Sequence, residues 1–67
     1  MNNLKTYQEI SADVWKIFKK YLPDDVSLDD FASDIHVLND KYEGHPKYRF
    51  MTLILKAYFN ELVELKG

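Results

Sequence analysis

The sequence predicts an all-α protein, a compact three-helix bundle with the C-terminal helix at its centre. Apolar residues recur every three or four positions in three separate segments, which is the spacing of one face of an α-helix. The segments are joined by short stretches, about residues 23–26 and 43–45, which contain Pro23 and Gly44 of the 67-residue chain. Because connections this short place successive helices side by side, we expect one domain over residues 1–67.

The first helix is predicted over residues 6–22. Thr6 and Glu9 have the spacing of a capping box, in which each side chain bonds the backbone N–H of the other residue. Lysines near the far end complement the helix dipole, and Pro23 ends the helix. The apolar face consists of Tyr7, Ile10, Val14, Ile17, Phe18 and Tyr21.

The second helix is predicted over residues 28–42. Ser27 is a typical N-cap residue, and Asp30 stands three positions later as in a shortened capping box. Gly44 suits the left-handed conformation that ends many helices. The apolar stripe is narrow and consists of Leu28, Phe31, Ala32, Ile35, Leu38 and Tyr42.

The third helix is predicted over residues 46–65, with Pro46 at its first position, where a missing N–H costs nothing. Its apolar residues cover an arc of roughly 200°, about twice the stripe of an ordinary surface helix. The helix is therefore expected either to pack against both others or to bury one flank against a second chain. The arc consists of Phe50, Met51, Ile54, Leu55, Ala57, Tyr58, Phe59, Leu62 and Leu65.

Composition argues against an enzyme and against a bound cofactor or metal. The chain has no cysteine, and its two histidines, His36 and His45, are too far apart for a ligand pair. Two glycines cannot form a phosphate-binding loop or a dinucleotide fingerprint. No internal repeat stands out. We predict a non-enzymatic protein without cofactor.

Charge is concentrated in the middle of the chain, although the net charge is only −2. Residues 24–40 contain six aspartates and no lysine or arginine. These acids either cap the second helix and face solvent or form a docking surface for a basic partner. They lack the alternate spacing and central glycine of a calcium loop. The candidate acidic surface is Asp24, Asp25, Asp29, Asp30 and Asp34.

The leading functional prediction is a protein–protein interaction module with a protein partner of unknown identity, a homodimer being one form of it. Ten aromatic residues in 67 are mostly core material, but those at the edge of an apolar face are typical interface anchors. The predicted contact surface joins the border of the first helix to one flank of the third. Its candidate residues are Trp15, Leu22, Leu55, Phe59 and Leu62.

Two alternatives remain open. The second and third helices could form a helix-turn-helix that binds nucleic acid through Lys47, Arg49 and Lys56. The acidic second helix would then lie near phosphates, which disfavours this alternative. The acidic helix could instead mimic nucleic acid and bind a nucleic-acid-binding protein.

Location is predicted to be cytoplasmic, with no membrane association. No run of 18 uncharged apolar residues is present, and the first ten residues, MNNLKTYQEI, lack the apolar core of a signal peptide.

The string Asp13-Val14-Trp15-Lys16-Ile17-Phe18-Lys19-Lys20-Tyr21 resembles the opening of short uncharacterised proteins of Gram-positive bacteria and their phages and mobile elements. Those proteins resemble this chain also in an acidic middle and an apolar C-terminal helix. The resemblance implies an accessory or regulatory protein of prophage type and assigns no role to any residue.

Overall fold

Three helices make up the computed structural model, which describes residues 3–67. They are α1 (Asn3–Tyr21), α2 (Phe31–Tyr42) and α3 (Tyr48–Lys66). No strand is present among the described residues. The prediction of an all-α three-helix bundle is confirmed, while Met1 and Asn2 of the predicted 1–67 domain lie outside the described residues.

α1 and α2 run antiparallel. The end of α1 meets the start of α2, where the ring centroids of Tyr21 and Phe31 are 5.1 Å apart. The middle of α1 meets the end of α2, where the Tyr42 hydroxyl donates a hydrogen bond to Asp13. The short connection over residues 22–30 reverses the chain, as the sequence predicts.

α3 runs parallel to α1, which gives the bundle an up-down-up order. Tyr7 near the start of α1 contacts Phe50 near the start of α3, with ring centroids 4.9 Å apart. Further along both helices, the rings of Phe18 and Tyr58 lie 4.5 Å apart. α3 is therefore antiparallel to α2.

α1 has close backbone contacts with both α2 and α3. α3 also packs against both other helices, as predicted, but it meets α2 largely through side chains. The rings of Phe31 and Phe59 lie 5.0 Å apart, and the Tyr48 hydroxyl donates a hydrogen bond of 3.2 Å to Asn39. The central position that the sequence assigned to α3 is therefore shared with α1.

The core lies along the axis of the bundle and draws on all three helices. Burial of large apolar side chains is the main source of stability in a chain without disulfides. Each helix contributes three of the buried residues, which are Ile10, Val14, Tyr21, Phe31, Leu38, Tyr42, Met51, Leu55 and Leu62.

The predicted start of α1 is wrong. Thr6 lies inside the helix, so Thr6 and Glu9 do not form a capping box at its N-terminus. The helix ends at Tyr21, directly before Leu22 and Pro23, because a proline disfavours helical geometry in the residue that precedes it.

The predicted start of α2 is also displaced. The Ser27 Oγ accepts a hydrogen bond of 3.0 Å from the Asp29 N–H, so it stabilises the connection rather than the helix. A turn follows, in which the Phe31 N–H donates a hydrogen bond of 3.0 Å to the Leu28 carbonyl. α2 begins only after this turn, and Asp30 at its N-cap makes no side-chain capping bond.

α3 begins two residues later than predicted. Pro46 lies in a turn that is closed by a hydrogen bond of 3.0 Å from the Tyr48 N–H to the His45 carbonyl. The His45 Nδ1 atom accepts a second hydrogen bond, of 2.9 Å, from the Lys47 N–H. The imidazole therefore caps this turn and fixes the entry into α3.

Gly44 has a φ of +76°, the left-handed conformation that the sequence predicts for the end of α2. A Cβ atom at this position would meet no atom within 4 Å. We therefore expect Gly44→Ala to lower the free energy of unfolding by about 1 kcal/mol through backbone strain alone. Gly44→Asn is the control, because asparagine tolerates this conformation better. Urea denaturation of both variants measures the difference, and equal losses would contradict the backbone explanation.

Candidate protein-interaction surfaces

Trp15 is the most prominent apolar side chain on the outside of the bundle. It is 45% exposed, although tryptophan is the largest apolar residue available for the core. Its ring lies 5.6 Å from that of Phe18 and 6.3 Å from that of Tyr58. These contacts hold the indole in one place between α1 and α3, so it is ordered before any partner arrives.

A cavity of about 300 Å³ lies on the same side of the bundle as Trp15. We define the α1/α3 seam as Trp15, Phe18 and the four residues that line this cavity. Most of the cavity surface is apolar. The seam therefore carries both a protruding aromatic ring, that of Trp15, and a cavity that can accept an apolar group. The four lining residues are Ser11, Ile54, Ala57 and Tyr58.

Leu4 extends this apolar surface towards the start of α1. It stands seven residues before Ser11, hence on the same face of the helix, and it is exposed. Leu22, at the other end, is exposed just beyond the last turn of α1, in agreement with its predicted place at the border of the helix.

Leu55 and Leu62 were predicted on the exposed flank of α3, and this prediction is wrong. They are 5% and 0% exposed and belong to the core. α3 is rotated so that these two leucines face the bundle axis. Neither residue can anchor a partner without unfolding the protein.

Phe59 is partly exposed as predicted, but it lies on a different seam from Trp15. Its ring contacts Phe31 of α2. With Ile35 and Tyr48 it lines a cavity of about 270 Å³ between α2 and α3. The sequence combined Trp15 and Phe59 in one surface, whereas the structure separates them.

The candidate acidic surface is present only in part. Four of its aspartates are exposed on the connection between α1 and α2 and at the start of α2: Asp24, Asp25, Asp29 and Asp30. The fifth, Asp34, is partly buried and is bound by side chains of α1. It therefore belongs to the contact between α1 and α2 and is not a free docking group.

Asp34 accepts two hydrogen bonds on one oxygen. The Tyr21 hydroxyl donates to its Oδ2 atom at 2.5 Å, and the Lys20 Nζ donates to the same atom at 2.8 Å. Tyr21 is almost completely buried, so this carboxylate supplies the acceptor that its hydroxyl would otherwise lack.

The same arrangement occurs a second time with the helices exchanged. The Tyr42 hydroxyl and the Lys41 Nζ, both on α2, each donate to the Oδ2 atom of Asp13 on α1 at 2.6 Å. α1 and α2 are thus joined by two reciprocal Asp–Lys–Tyr clusters, related by an approximate two-fold axis between the antiparallel helices.

A short repeat encodes the two clusters, and the sequence analysis overlooked it. Residues 13–21 read DVWKIFKKY and residues 34–42 read DIHVLNDKY. Both begin with aspartate and end with Lys-Tyr. Both have a β-branched residue at position two and an aliphatic residue at position five. A search for self-similarity at a spacing of 21 residues would have revealed it.

Both carboxylates are held ionised. Burial opposes ionisation of Asp13, but hydrogen bonds from Lys41 and Tyr42 outweigh it and lower the pKa of Asp13 below its ordinary 3.8. Hydrogen bonds from Lys20 and Tyr21 lower the pKa of Asp34 in the same way.

Both tyrosines are held protonated. Burial first, and then the hydrogen bond to a carboxylate, raises the pKa of Tyr21 and of Tyr42 above the ordinary 10.0. All four shifts move away from neutrality, whereas an acid–base catalyst needs a pKa near the working pH. The clusters therefore act as fixed polar links between α1 and α2.

The basic residues of the nucleic-acid alternative do not form one surface. Lys47 is partly buried, with its Nζ atom 5.5 Å from the centroid of the Tyr7 ring at the α1 side of α3. Arg49 and Lys56 are exposed, and Lys56 lines the cavity between α2 and α3. α2 and α3 pack antiparallel along their length, unlike the steeply crossed pair of a helix-turn-helix.

No group of three or more metal-ligating side chains comes together within residues 3–67. Over the same residues, no helix is both long and apolar enough to cross a membrane. Comparison with protein-family models, with curated proteins and with solved structures finds no match. The resemblance of residues 13–21 to phage-associated proteins stays a prediction.

Proposed function

We propose that this protein is a non-enzymatic interaction module that binds another protein through the α1/α3 seam. The observation that carries the proposal is the half-exposed Trp15, which ring contacts hold in place on that seam. Tryptophan is among the residues that contribute most to binding when a partner covers them. An anchor that is already ordered loses little conformational entropy on binding.

The surroundings of Trp15 support the same function. An apolar cavity and the half-buried Tyr58 adjoin it, and the exposed Leu4 lies further along the same face of α1. The polar groups of the α1/α2 face, by contrast, are already bound to one another. Interfaces combine such an apolar centre with a polar rim. The resemblance of residues 13–21 further supports an accessory or regulatory protein of prophage type.

Affinity capture with Trp15→Ala tests the proposal. The wild-type chain, immobilised through its C-terminus, is exposed to a lysate of its source cells, and retained proteins are quantified by mass spectrometry. We expect at least one protein, or a second copy of the chain itself, to be retained at least about tenfold less by Trp15→Ala, as for an interface hot spot.

Val37→Ala is the matched control. Val37 is 68% exposed and lies on the α1/α2 face, so its loss removes apolar surface without touching the α1/α3 seam. Circular dichroism establishes that both variants remain helical. If Trp15→Ala and Val37→Ala retain the same proteins in the same amounts as wild type, the proposed function is wrong.

A further inference from the structure

We infer that the partner of the α1/α3 seam is a second copy of this chain, which packs antiparallel and inserts its Trp15 into the seam cavity. The inference rests on the proposed function and specifies the occupant of that surface. Three observations carry it: the position of the cavity relative to Trp15, the charges along α3, and the size of the face.

The cavity and the indole lie next to each other on the same seam. Ser11, which lines the cavity, is four residues before Trp15 on α1, a distance of about 6 Å along the helix. Tyr58 lines the cavity and also contacts the Trp15 ring. A two-fold axis between Trp15 and the cavity therefore places each indole over the cavity of the other copy.

The cavity has the size and polarity for an aromatic ring. Its volume is about 300 Å³, and apolar cavities of about 150 Å³ already take up benzene. Because one surface carries both the inserting group and its receptor, the contact is self-complementary, as a two-fold symmetric interface requires.

The charges along α3 favour the antiparallel orientation. Lys47 stands seven residues before Ile54, which lines the cavity, and Glu61 stands seven residues after it, so both lie on the α1 side of α3. Neither side chain forms an ion pair within residues 3–67. An antiparallel neighbour brings the basic end of one α3 near the acidic end of the other, whereas a parallel neighbour brings like charges together.

The face is large enough for a stable pair. The molecule is elongated, with principal extents of 41, 20 and 15 Å. One long side therefore measures 41 Å by 15 to 20 Å, an extent that approaches the ~800 Å² that each partner contributes to an interface of standard size. A second copy of equal length covers that side from end to end.

Sedimentation equilibrium over a range of concentrations tests the inference. We expect the wild-type mass to approach twice the 8.0 kDa of one chain as the concentration rises.

Trp15→Ala removes the inserting ring, and Ala57→Trp fills the cavity at an exposed position. Each is expected to raise the dimer dissociation constant by at least about 30-fold. Val37→Ala, on another face, is expected to leave the constant within about twofold.

A charge exchange tests the orientation. Lys47→Glu and Glu61→Lys are each expected to weaken the dimer by about tenfold, since each change acts twice in a symmetric pair. The double variant restores opposite charges across an antiparallel contact and is expected to return to within about threefold of wild type. Single variants without effect, or a double variant that remains weak, overturn the antiparallel arrangement.

The mass measurement also separates this inference from the proposed function. A wild-type chain that remains monomeric at millimolar concentration overturns the second copy as partner. If that monomer still retains a protein in a Trp15-dependent manner, the proposed function stands. A dimer that neither Trp15→Ala nor Ala57→Trp weakens also overturns the second copy as the occupant of the seam, and the affinity capture then decides the proposed function.

Discussion

Leu62→Ala is expected to leave much of the protein unfolded at 25 °C. The Leu62 side chain has no exposed surface, and shortening a buried leucine to alanine costs about 2–5 kcal/mol. A domain of this size without disulfide or metal rarely has more than about 3–5 kcal/mol of stability. The measurement is urea denaturation followed by circular dichroism, in which Leu62→Ala is expected to show little or no folded baseline.

Leu53→Ala is the matched control, since it makes the same chemical change on the same helix. Leu53 is 57% exposed, so the loss is expected to stay within about 0.5 kcal/mol. If Leu62→Ala were as stable as Leu53→Ala, Leu62 would have to lie on the surface, where the sequence analysis placed it.

The contrast between Leu62 and Leu53 shows what helical periodicity predicts and what it leaves open. The spacing of apolar residues alone is enough to predict three helices and the residues that form their apolar faces. The apolar arc of α3 is much wider than one neighbouring helix can cover. Which part of the arc faces the axis depends on packing against α1 and α2, and spacing carries no information about that rotation.

The helix ends show a similar division. Gly44 was predicted correctly because its left-handed conformation is a requirement of the local backbone. Ser27 and Pro46 have suitable residue types for helix starts, but each lies in a turn that precedes its helix. Those turns are set by hydrogen bonds of neighbouring residues, such as that from the Lys47 N–H to His45, which residue type alone does not indicate.

The reciprocal Asp–Lys–Tyr clusters were missed for a different reason. Asp34 was assigned to the candidate acidic surface and Asp13 was given no partner, since carboxylates are rarely buried. Each lies at the edge of its helix, where it meets the hydroxyl of a buried tyrosine on the other helix. Their partners are remote in sequence, so only the repeat at a spacing of 21 residues could have indicated the pairing.

Replacing both aspartates, Asp13→Ala with Asp34→Ala, is expected to lower the free energy of unfolding by about 4 kcal/mol. Each single change leaves a buried tyrosine hydroxyl without its acceptor, which costs about 1–3 kcal/mol. The two sites share no partner, so the losses are expected to add. Urea denaturation of the two single variants measures the losses, and the double variant is expected to show little or no folded baseline. Tyr42→Phe in the Asp13→Ala background is expected to recover part of the loss by removing the unpaired hydroxyl.

Asp40→Ala is the control for these changes. Asp40 is exposed, and the only ion pair it makes within residues 3–67 is with His36 at 3.7 Å. Its loss is expected to remain within about 0.5 kcal/mol, because exposed ion pairs contribute little. Equal effects of Asp40→Ala and Asp13→Ala would show that the hydrogen bond from the Tyr42 hydroxyl to Asp13 contributes nothing.

The pH dependence of stability follows from the same clusters. The pKa values of Asp13 and Asp34 lie below 3.8 in the folded protein, so the unfolded chain takes up protons first as the pH falls. Stability from these carboxylates is therefore complete above about pH 5 and decreases below about pH 4. Asp13→Ala is expected to lose less stability over this acid range than wild type, and an unchanged acid dependence would contradict the role of the carboxylate.

The tyrosines determine how stability changes at alkaline pH. The pKa values of Tyr21 and Tyr42 lie above 10.0 in the folded protein, so the unfolded chain loses its protons first as the pH rises. Stability from the hydroxyls is therefore complete below about pH 9 and decreases above about pH 10. We expect Tyr42→Phe to weaken this alkaline loss in denaturation experiments between pH 8 and 11. Because the hydrogen bond between Asp13 and Tyr42 lowers the pKa of one and raises the pKa of the other, Asp13→Ala and Tyr42→Phe are each expected to reduce both the acid and the alkaline loss. Variants that each changed only one of the two losses would contradict the hydrogen bond between them.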